Sequence, residues 1–298
     1  MIALEELALG TRTETRVVEI GGVAVALRTS SLPFARMIEE RYAGFVATGV
    51  ATSQEVRMHS ILLDVELFER APREFGDAEV EQEADQDHDD LQDDDLDVTF
   101  RDGLWQMQRG DFSAQWNPAS GRGKIRQATN PYSLDSVLRI VHSLVLAAQG
   151  EFLVHAASAI RNGRAFLFAG VSGAGKTTIS RLAPADATVL TDEISYVRKS
   201  PTGYDAHGTP FAGELARVGA HCAAPLRTLY LLRQGPETKI EEVPPVQAAQ
   251  ALMRNILFFA HDAELVQSVF EGACDFVDRV AVRRLTFRPE AAVWDLIG

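Results

Sequence analysis

Apolar and polar positions predict a hairpin and a helix near the start of the chain. Two apolar runs within residues 17–27 flank Gly21 and Gly22, and a glycine pair between such runs is typical of a tight β-hairpin turn. Ser31 caps free N–H groups well and Pro33 fits a first helical turn. The apolar spacing that follows is helical, so the sequence predicts a helix capped by Ser31.

The next stretch predicts strands. An apolar run predicts a strand over residues 59–68. Three short runs over 97–116 are separated by turn-forming pairs at 102–103 and 109–110, which predicts an antiparallel meander. Residues 118–131 are rich in Gly, Pro and charged side chains, and they predict a loop.

Helical and strand patterns alternate in the second half of the chain. Ser133 is the predicted cap of an apolar-periodic segment that forms a helix ending near residue 149. Asn162 and Gly163 lie between two apolar runs and predict a second hairpin. Further predicted elements are a strand over 227–235, a helix over 246–260 and a strand over 280–287. The order of elements predicts an α/β protein, with a small α+β module over residues 1–130 and a larger domain over 131–298.

Charge is distributed unevenly along the chain. Residues 77–97 hold twelve acidic residues and no Lys or Arg, so the net charge is −13 with them and −1 without them. Like charges repel and the segment has few apolar groups, which predicts a solvated, disordered loop, with a docking site for a basic partner as the alternative. No concentrated basic stretch indicates nucleic-acid binding.

Apolar runs and cysteines narrow the expected location. No run reaches the roughly 18–20 apolar residues that cross a membrane, and the first residues do not have the basic character of a secretory signal. Cys222 and Cys274 lack metal-ligand spacing and are interpreted as reduced thiols. We therefore expect a cytoplasmic protein that makes no membrane contact.

Residues 170–177, GVSGAGKT, match the phosphate-binding loop G-x-x-x-x-G-K-[ST]. A strand-like run precedes them and a helix-forming segment follows. Glycines let backbone N–H groups surround phosphates, and a helix start adds partial positive charge. We expect Lys176 to reach the β- and γ-phosphates of ATP and the Thr177 hydroxyl to bind Mg²⁺. The predicted nucleotide-binding residues are Gly170, Ser172, Gly173, Ala174, Gly175, Lys176, Thr177 and Thr178.

A pair of carboxylates follows closely. Residues 187–193, ATVLTDE, form an apolar run that ends in Asp192 and Glu193, and Asp192 lies 16 residues after Lys176. That gap holds little more than a helix and a turn, whereas the acidic strand of motor-type ATPases usually comes much later. One carboxylate can accept a hydroxyl proton while the other holds the metal. Two solvated acids at a strand end are the alternative.

His155 is expected beside the phosphates. If residues 162–163 form the two-residue turn, antiparallel pairing places His155 opposite Gly170, the first glycine of the phosphate-binding loop. The alternative is a histidine packed in the core.

The segments VHAASAI, GVSGAGKTT and VLTDE, in this order, resemble the catalytic domain of HPr kinase/phosphorylase over residues 136–235. The resemblance implies an α/β P-loop kinase domain of the HPr kinase/PEP carboxykinase type. It implies that Asp192 deprotonates an acceptor hydroxyl and that His155 and Lys176 act beside the phosphates. Glu193 stands where the bifunctional enzymes have an aspartate, and it is the implied metal ligand.

Residues 207–219, HGTPFAGELARVG, occupy the place of that family's glutamate-bearing active-site loop. Glu214 is the implied metal ligand, together with Thr177 and Glu193, and a surface acid is the alternative. Arg217 could reach phosphate. The Glu-Arg-Gly signature of the bifunctional enzymes is absent, so neither phosphorylase activity nor recognition of HPr itself follows.

The sequence thus predicts a kinase that transfers the γ-phosphoryl group of Mg-ATP to a serine-type hydroxyl. The acceptor is a protein, a peptide or a small molecule, and association into a homo-oligomer is left open. Two alternatives are a nucleotide-sensing interaction protein without turnover and a P-loop ATPase without an acceptor.

Overall fold

The first of two β-sheets is built from the N-terminal part of the chain. A computed structural model describes residues 13–47, 61–68 and 95–297. The strands of the first sheet are β1 (Glu14–Ile20), β2 (Val23–Thr29), β3 (Ile61–Phe68), β4 (Asp97–Arg101), β5 (Leu104–Arg109), β6 (Phe112–Asn117) and β7 (Arg122–Ala128). Their order is β1-β2-β3-β7-β6-β5-β4, with β3 parallel to both of its neighbours.

The predicted hairpin and meander are confirmed in this sheet. β1 and β2 pair antiparallel around Gly21 and Gly22, whose φ angles of +57° and +81° suit a residue without a Cβ. β4, β5 and β6 pair antiparallel in sequence order. The strand predicted over 59–68 begins at Ile61 in the described residues.

The loop predicted over residues 118–131 is wrong, because β7 lies within it at the centre of the first sheet. β7 pairs with β6 on one side and β3 on the other. Its inward positions include Ile125 and the buried amide of Gln127, while Lys124 and Arg126 point outward. Alternation was therefore present, but a polar residue occupies an inward position where a strand pattern requires an apolar one.

The second sheet contains the strands of the C-terminal half. They are β8 (Phe152–Arg161), β9 (Arg164–Ala169), β10 (Thr188–Thr191), β11 (Ile194–Ser200), β12 (Gly203–His207), β13 (Ala223–Gln234), β14 (Lys239–Glu242), β15 (Ile256–Leu257) and β16 (Ala281–Phe287). β8 pairs with β9 and β10 along its C-terminal half and with β11 and β15 along its N-terminal half. The pairs β8–β11, β11–β12, β12–β13, β13–β9 and β9–β8 close a ring of strands. β13 is parallel to both β9 and β16.

The α-helices of the described residues are α1 (Leu32–Arg41), α2 (Pro131–Ala147), α3 (Lys176–Arg181), α4 (Pro245–Asn255) and α5 (Ala263–Arg279), followed by a 3-10 helix (Ala291–Leu296). Ser31 caps α1 as predicted, accepting a hydrogen bond from the Phe34 N–H at 3.3 Å. The cap predicted for α2 is wrong by one turn. Asn130 accepts from the Ser133 N–H at 3.0 Å, and Pro131 occupies the first turn.

Helix α2 lies between the two sheets. It contacts α1 and β7 on one side and β8 and α5 on the other. Its buried apolar residues share one core with the first sheet and with Leu153, Ile194 and Tyr196 of the second. A second core lies between the second sheet and helices α4 and α5. A third lies beneath α3 and the 3-10 helix.

These observations establish a mixed α/β fold with two sheets. The first draws its strands from residues 14–128 and the second from 152–287, while a domain boundary near residue 130 stays a prediction. The acidic segment 77–97 lies outside the described residues except for its last three, and Asp97 begins β4. In the described parts of the chain, none of the helices has the length and apolar character needed to span a membrane.

Candidate functional site

The phosphate-binding loop connects β9 to α3, in the strand–loop–helix context that its sequence predicts. Gly170 follows the last residue of β9, and Lys176 begins α3. The loop tip is exposed, while Ala174 and Lys176 are buried. Ser172 is exposed, and Thr177 and Thr178 are partly exposed beside it.

Three glycines are required by the shape of this loop. Gly173 and Gly175 have φ angles of +72° and +110°, in the region that disfavours L side chains. A Cβ on Gly175 would lie 2.7 Å from the Cζ atom of Phe287, and one on Gly170 would lie 2.6 Å from the Cβ of Ala174. A side chain at any of these positions would distort a cradle that leaves its backbone open to a phosphate chain.

The side chain of Lys176 is hydrogen-bonded to the backbone of the phosphate-binding loop. Its Nζ donates to the carbonyl oxygen of Gly170 at 3.1 Å, and the residue is 9% exposed. Gln234, the last residue of β13, donates from Nε2 to the Gly173 carbonyl oxygen at 2.6 Å. A buried ammonium group that hydrogen-bonds a loop carbonyl is well placed to exchange that neutral acceptor for a charged phosphate oxygen.

Asp192 and Glu193 form an acidic turn between β10 and β11. Both strands run antiparallel along the same side of β8, with Thr191 opposite Ser158 and Ile194 opposite His155. The two acids therefore follow the C-terminal end of β10, as the sequence predicted, and they interrupt an otherwise continuous pairing along β8. Two strand-end hydrogen bonds shape the turn, because the Thr191 Oγ1 accepts from the N–H groups of Glu193 and Ile194 at 3.2 Å each.

Strand β8 holds the acidic turn and the phosphate-binding loop on its two sides. The hairpin register predicted from residues 162–163 is confirmed, since Ala156 pairs with Ala169 one step before Gly170. His155 is the next residue of β8, and it is partly buried. Neighbouring strands lie about 4.8 Å apart, so the backbones of the two motifs are separated by roughly 10 Å, two strand spacings. A phosphate chain and a metal ion can bridge such a gap.

The Asp192 carboxylate anchors the loop over residues 208–222. It is 5% exposed, Oδ1 accepts from the Gly213 N–H at 3.0 Å and Oδ2 accepts from the Leu215 N–H at 2.8 Å. The base of the loop is bound to β10, with the Ala220 N–H donating to the Val189 carbonyl oxygen at 3.2 Å. Each carboxylate oxygen keeps further lone-pair directions. Asp192 can therefore hold the loop and still accept another hydrogen bond.

Arg139 is a site residue that the sequence analysis missed. It lies on α2, and its Nη2 is 3.5 Å from Oε2 of Glu193, with the two side chains 18% and 15% exposed. Its guanidinium carbon lies 5.1 Å from the centroid of the Phe211 ring in the anchored loop. The one available signal was an arginine within a strongly apolar helix, where a charged side chain needs a partner.

Glu214 and Arg217 lie on the exposed part of the anchored loop. In the described residues no group of three or more His, Cys, Asp or Glu side chains is arranged to hold a metal ion by itself. The metal ligands predicted from the sequence, Thr177, Glu193 and Glu214, therefore stay a prediction. Mg²⁺ bound with a nucleotide needs only one or two protein ligands besides phosphate oxygens and water.

A comparison with protein-family models decides the family. The model of the SynChlorMet cassette protein ScmC matches residues 126–297, which is more than half of the chain. The chain belongs to this ScmC family. No curated protein matches it. The matched region begins within β7 and includes α2, the phosphate-binding loop, the acidic turn and the anchored loop, so the whole candidate site lies within the part of the chain that matches the family.

The expected membership of the HPr kinase/phosphorylase family is wrong, since the matching family is that of ScmC. The physical reason is that the expectation rested on three short motifs. A phosphate-binding loop, a nearby acidic pair and a neighbouring strand are local solutions to phosphate binding that recur on different chains. Such motifs indicate the chemistry of a site, and they do not identify the family that carries it.

The residues at this site fit a magnesium nucleotide. The glycine positions leave a backbone cradle that a Cβ would fill, and a buried lysine lies inside it. The Nε atom of Arg139 is buried without a hydrogen-bond partner beside the acidic turn. A cradle of N–H groups, two cations and a carboxylate pair complement a phosphate chain with its metal ion.

Proposed function

We propose that this protein binds Mg-ATP at residues 170–177 and transfers the γ-phosphoryl group to a serine-type hydroxyl. The observation that supports the proposal best is the position of the two motifs on either side of β8. The cradle that would hold the phosphates and the carboxylates that would serve the metal and the acceptor are bound to adjacent residues of one strand. The finer fold assignment, a P-loop phosphotransferase domain, rests on the same arrangement.

Each residue has a proposed role in the transfer. Backbone N–H groups of the loop and the Nζ of Lys176 hold the phosphates and neutralise their charge. Thr177 and Glu193, with Glu214 as a further candidate, would hold Mg²⁺, which supplies charge neutralisation when bound. The oxygen of the acceptor hydroxyl bonds to the γ-phosphorus, and Asp192 accepts the proton of that hydroxyl. The bond between the γ-phosphorus and the bridging oxygen breaks, and this oxygen leaves with ADP. His155 lies at the edge of the phosphate region.

A second candidate is a nucleotide-dependent interaction protein without turnover. One observation favours it, because both oxygens of Asp192 accept backbone hydrogen bonds from the anchored loop. Nucleotide binding beside Asp192 could then alter the loop, and the loop could present a surface to a partner protein. The two candidates share the nucleotide site and differ in whether a phosphoryl group moves.

The test is a calorimetric titration of Mg-ATP into the wild-type protein and two lysine variants. Lys176→Ala removes the cation within the cradle, and we expect it to weaken ATP binding at least tenfold, a loss typical of a charge-assisted contact. Lys124→Ala is the matched control, since Lys124 is 58% exposed on the first sheet. Equal ATP affinity in wild type and Lys176→Ala would refute the nucleotide site.

Transfer is measured in the same proteins with γ-labelled ATP and a panel of serine-containing peptides and small alcohols. Labelled product with wild type and none with Lys176→Ala supports the kinase. Nucleotide binding without label transfer to any acceptor, and without release of phosphate, favours the interaction protein.

A further inference from the structure

Arg139 occupies an unusual position for a structural arginine. It lies midway along α2, the helix between the two sheets, and its side chain reaches the acidic turn and the ring of Phe211. It therefore contacts both the acidic turn and the anchored loop. Neither part is close to α2 in sequence.

Its ion pair with Glu193 is incomplete. The Nη2–Oε2 distance of 3.5 Å is at the outer limit of a hydrogen bond, and the Nε atom is buried with no partner. The pair between Arg198 and Glu151 makes a useful comparison. Its Nε–Oε2 distance is 2.8 Å, and Arg198 also donates to the Gly21 carbonyl oxygen. A buried donor atom without an acceptor is costly unless a further acceptor arrives.

The other polar side chains on the same face of α2 already have partners. Asp135, one turn before Arg139, accepts hydrogen bonds from Arg41 and from the Tyr42 hydroxyl, the latter at 2.6 Å. His142, one turn after it, lies 3.2 Å from the Tyr196 hydroxyl through Nδ1. Arg139 is thus directed to Glu193, and the neighbouring carboxylate on its own helix does not compete for it.

We propose that Arg139 is a positioning residue that holds Glu193 in the nucleotide-free protein and competes with Mg²⁺ for that carboxylate. The inference rests on the proposed function, because it takes Glu193 as a metal ligand. A cation beside Glu193 lowers the negative potential that attracts Mg²⁺. With Mg²⁺ and a nucleotide bound, Glu193 would hold the metal in place of its ion pair with Arg139.

This exchange predicts opposite effects of two neutralising variants. Arg139→Met removes the competing cation. The Mg²⁺ concentration that gives half-maximal nucleotide binding should therefore fall about tenfold, the effect of one charge contact in a partly screened site. Glu193→Gln removes the ligand and should require more Mg²⁺. The double variant should behave like Glu193→Gln alone, because Arg139 acts only through that carboxylate. Arg139→Lys keeps the charge and should stay within about threefold of wild type.

The experiment is a fluorescence titration of the protein with the labelled nucleotide mant-ADP at increasing Mg²⁺ concentrations, which requires no turnover. Arg164→Met is the matched control, since Arg164 is exposed at the start of β9. Thermal unfolding midpoints of all variants identify any that fail to fold, and Arg139→Lys serves as the second variant if Arg139→Met is among them.

The outcomes separate this inference from the proposed function. A wild type that does not bind mant-ADP refutes both. In a second outcome the wild type binds mant-ADP, and the Mg²⁺ dependence of Arg139→Met equals that of wild type or shifts in the same direction as that of Glu193→Gln. That result overturns the role of Arg139 and leaves the nucleotide site intact. For a folded Arg139→Met the inference requires opposite shifts. If only Arg139→Lys folds, a shift beyond threefold overturns the role.

Discussion

The phosphate-binding loop and the acidic turn face each other across β8, yet they are built in different ways. The loop is one continuous segment, and its glycines, its lysine and its flanking strand and helix are consecutive in the sequence. The acidic turn depends on two distant segments, because Arg139 contacts Glu193 and the backbone at residues 213–215 contacts Asp192. The first half of the site is local, and the second exists only once the sheets have assembled.

The structure of the phosphate-binding loop is determined by its local sequence motif, whereas that of the acidic turn is determined by tertiary packing. A local motif carries its own backbone requirements, such as the positive φ angles of Gly173 and Gly175, wherever it occurs. The acidic side acquires its chemistry from its neighbours. Substitutions in the phosphate-binding loop should therefore act directly on nucleotide binding. Substitutions in the acidic turn should act on phosphoryl transfer and on the conformation of the anchored loop.

The largest expected effect is that of Asp192→Asn. An amide cannot take up the acceptor proton, so transfer should fall by about 10²- to 10⁴-fold, the range for losing a positioned general base. ATP affinity should stay within about tenfold, since the phosphate cradle is intact. The measurement is a transfer rate together with an ATP titration. Glu193→Gln, which should lose activity mainly at low Mg²⁺, is the comparison. If neither variant loses transfer, the acidic turn is not the catalytic centre.

Gly175→Ala tests the phosphate-binding loop. The substitution forces a side chain into a φ of +110° and toward the Phe287 ring, so the free energy of unfolding should drop by about 2–4 kcal/mol and nucleotide binding should be lost. Chemical denaturation and calorimetry measure the two effects. Gly110→Ala is the matched control, since a Cβ there meets nothing within 4 Å. An alanine at 175 that folds stably and binds ATP normally would show that the cradle shape is not required.

A smaller effect is expected from the protonation of His142, a buried histidine of α2. Burial lowers its pKa from 6.5 to about 3. The folded protein thus keeps the ring neutral, and the stabilisation is complete above pH 6.5 and is lost as pH falls toward 3. Each pH unit below 6.5 should remove about 1.4 kcal/mol from the free energy of unfolding.

Denaturation curves at pH 7 and pH 5 test this contribution. In His142→Leu the difference between the two pH values should shrink by about 2 kcal/mol relative to wild type. His261→Leu is the matched histidine-to-leucine control, since His261 is exposed. Equal pH dependence in wild type and His142→Leu would contradict a buried neutral histidine.

The sequence was sufficient wherever a residue's requirement is local. It predicted the two hairpins at Gly21–Gly22 and Asn162–Gly163, the Ser31 cap and the loop between β9 and α3. It also predicted the register of β8 and β9, which places His155 one step beyond the Ala156–Ala169 pair, because a two-residue turn fixes the pairing of both strands.

The sequence was insufficient wherever packing decides. β7 is a strand because β3 and β6 pair with it, although Gln127 occupies an inward position. Arg139 joined the site because α2 crosses between the sheets, which no spacing along the helix reveals. The predicted family was wrong for a related reason. Motifs of a few residues describe a local phosphate site, and most of the region that matches the ScmC family lies outside these motifs.

The most direct test of the account is a crystal structure with Mg²⁺ and a non-hydrolysable ATP analogue. The account predicts the β- and γ-phosphates within hydrogen-bond distance of the backbone N–H groups at residues 173–177 and of the Lys176 Nζ. It predicts the metal ion between the Thr177 hydroxyl and the Glu193 carboxylate. A nucleotide bound elsewhere, or phosphates in the loop with a metal ion that contacts neither residue of the acidic turn, would contradict a single site built across β8.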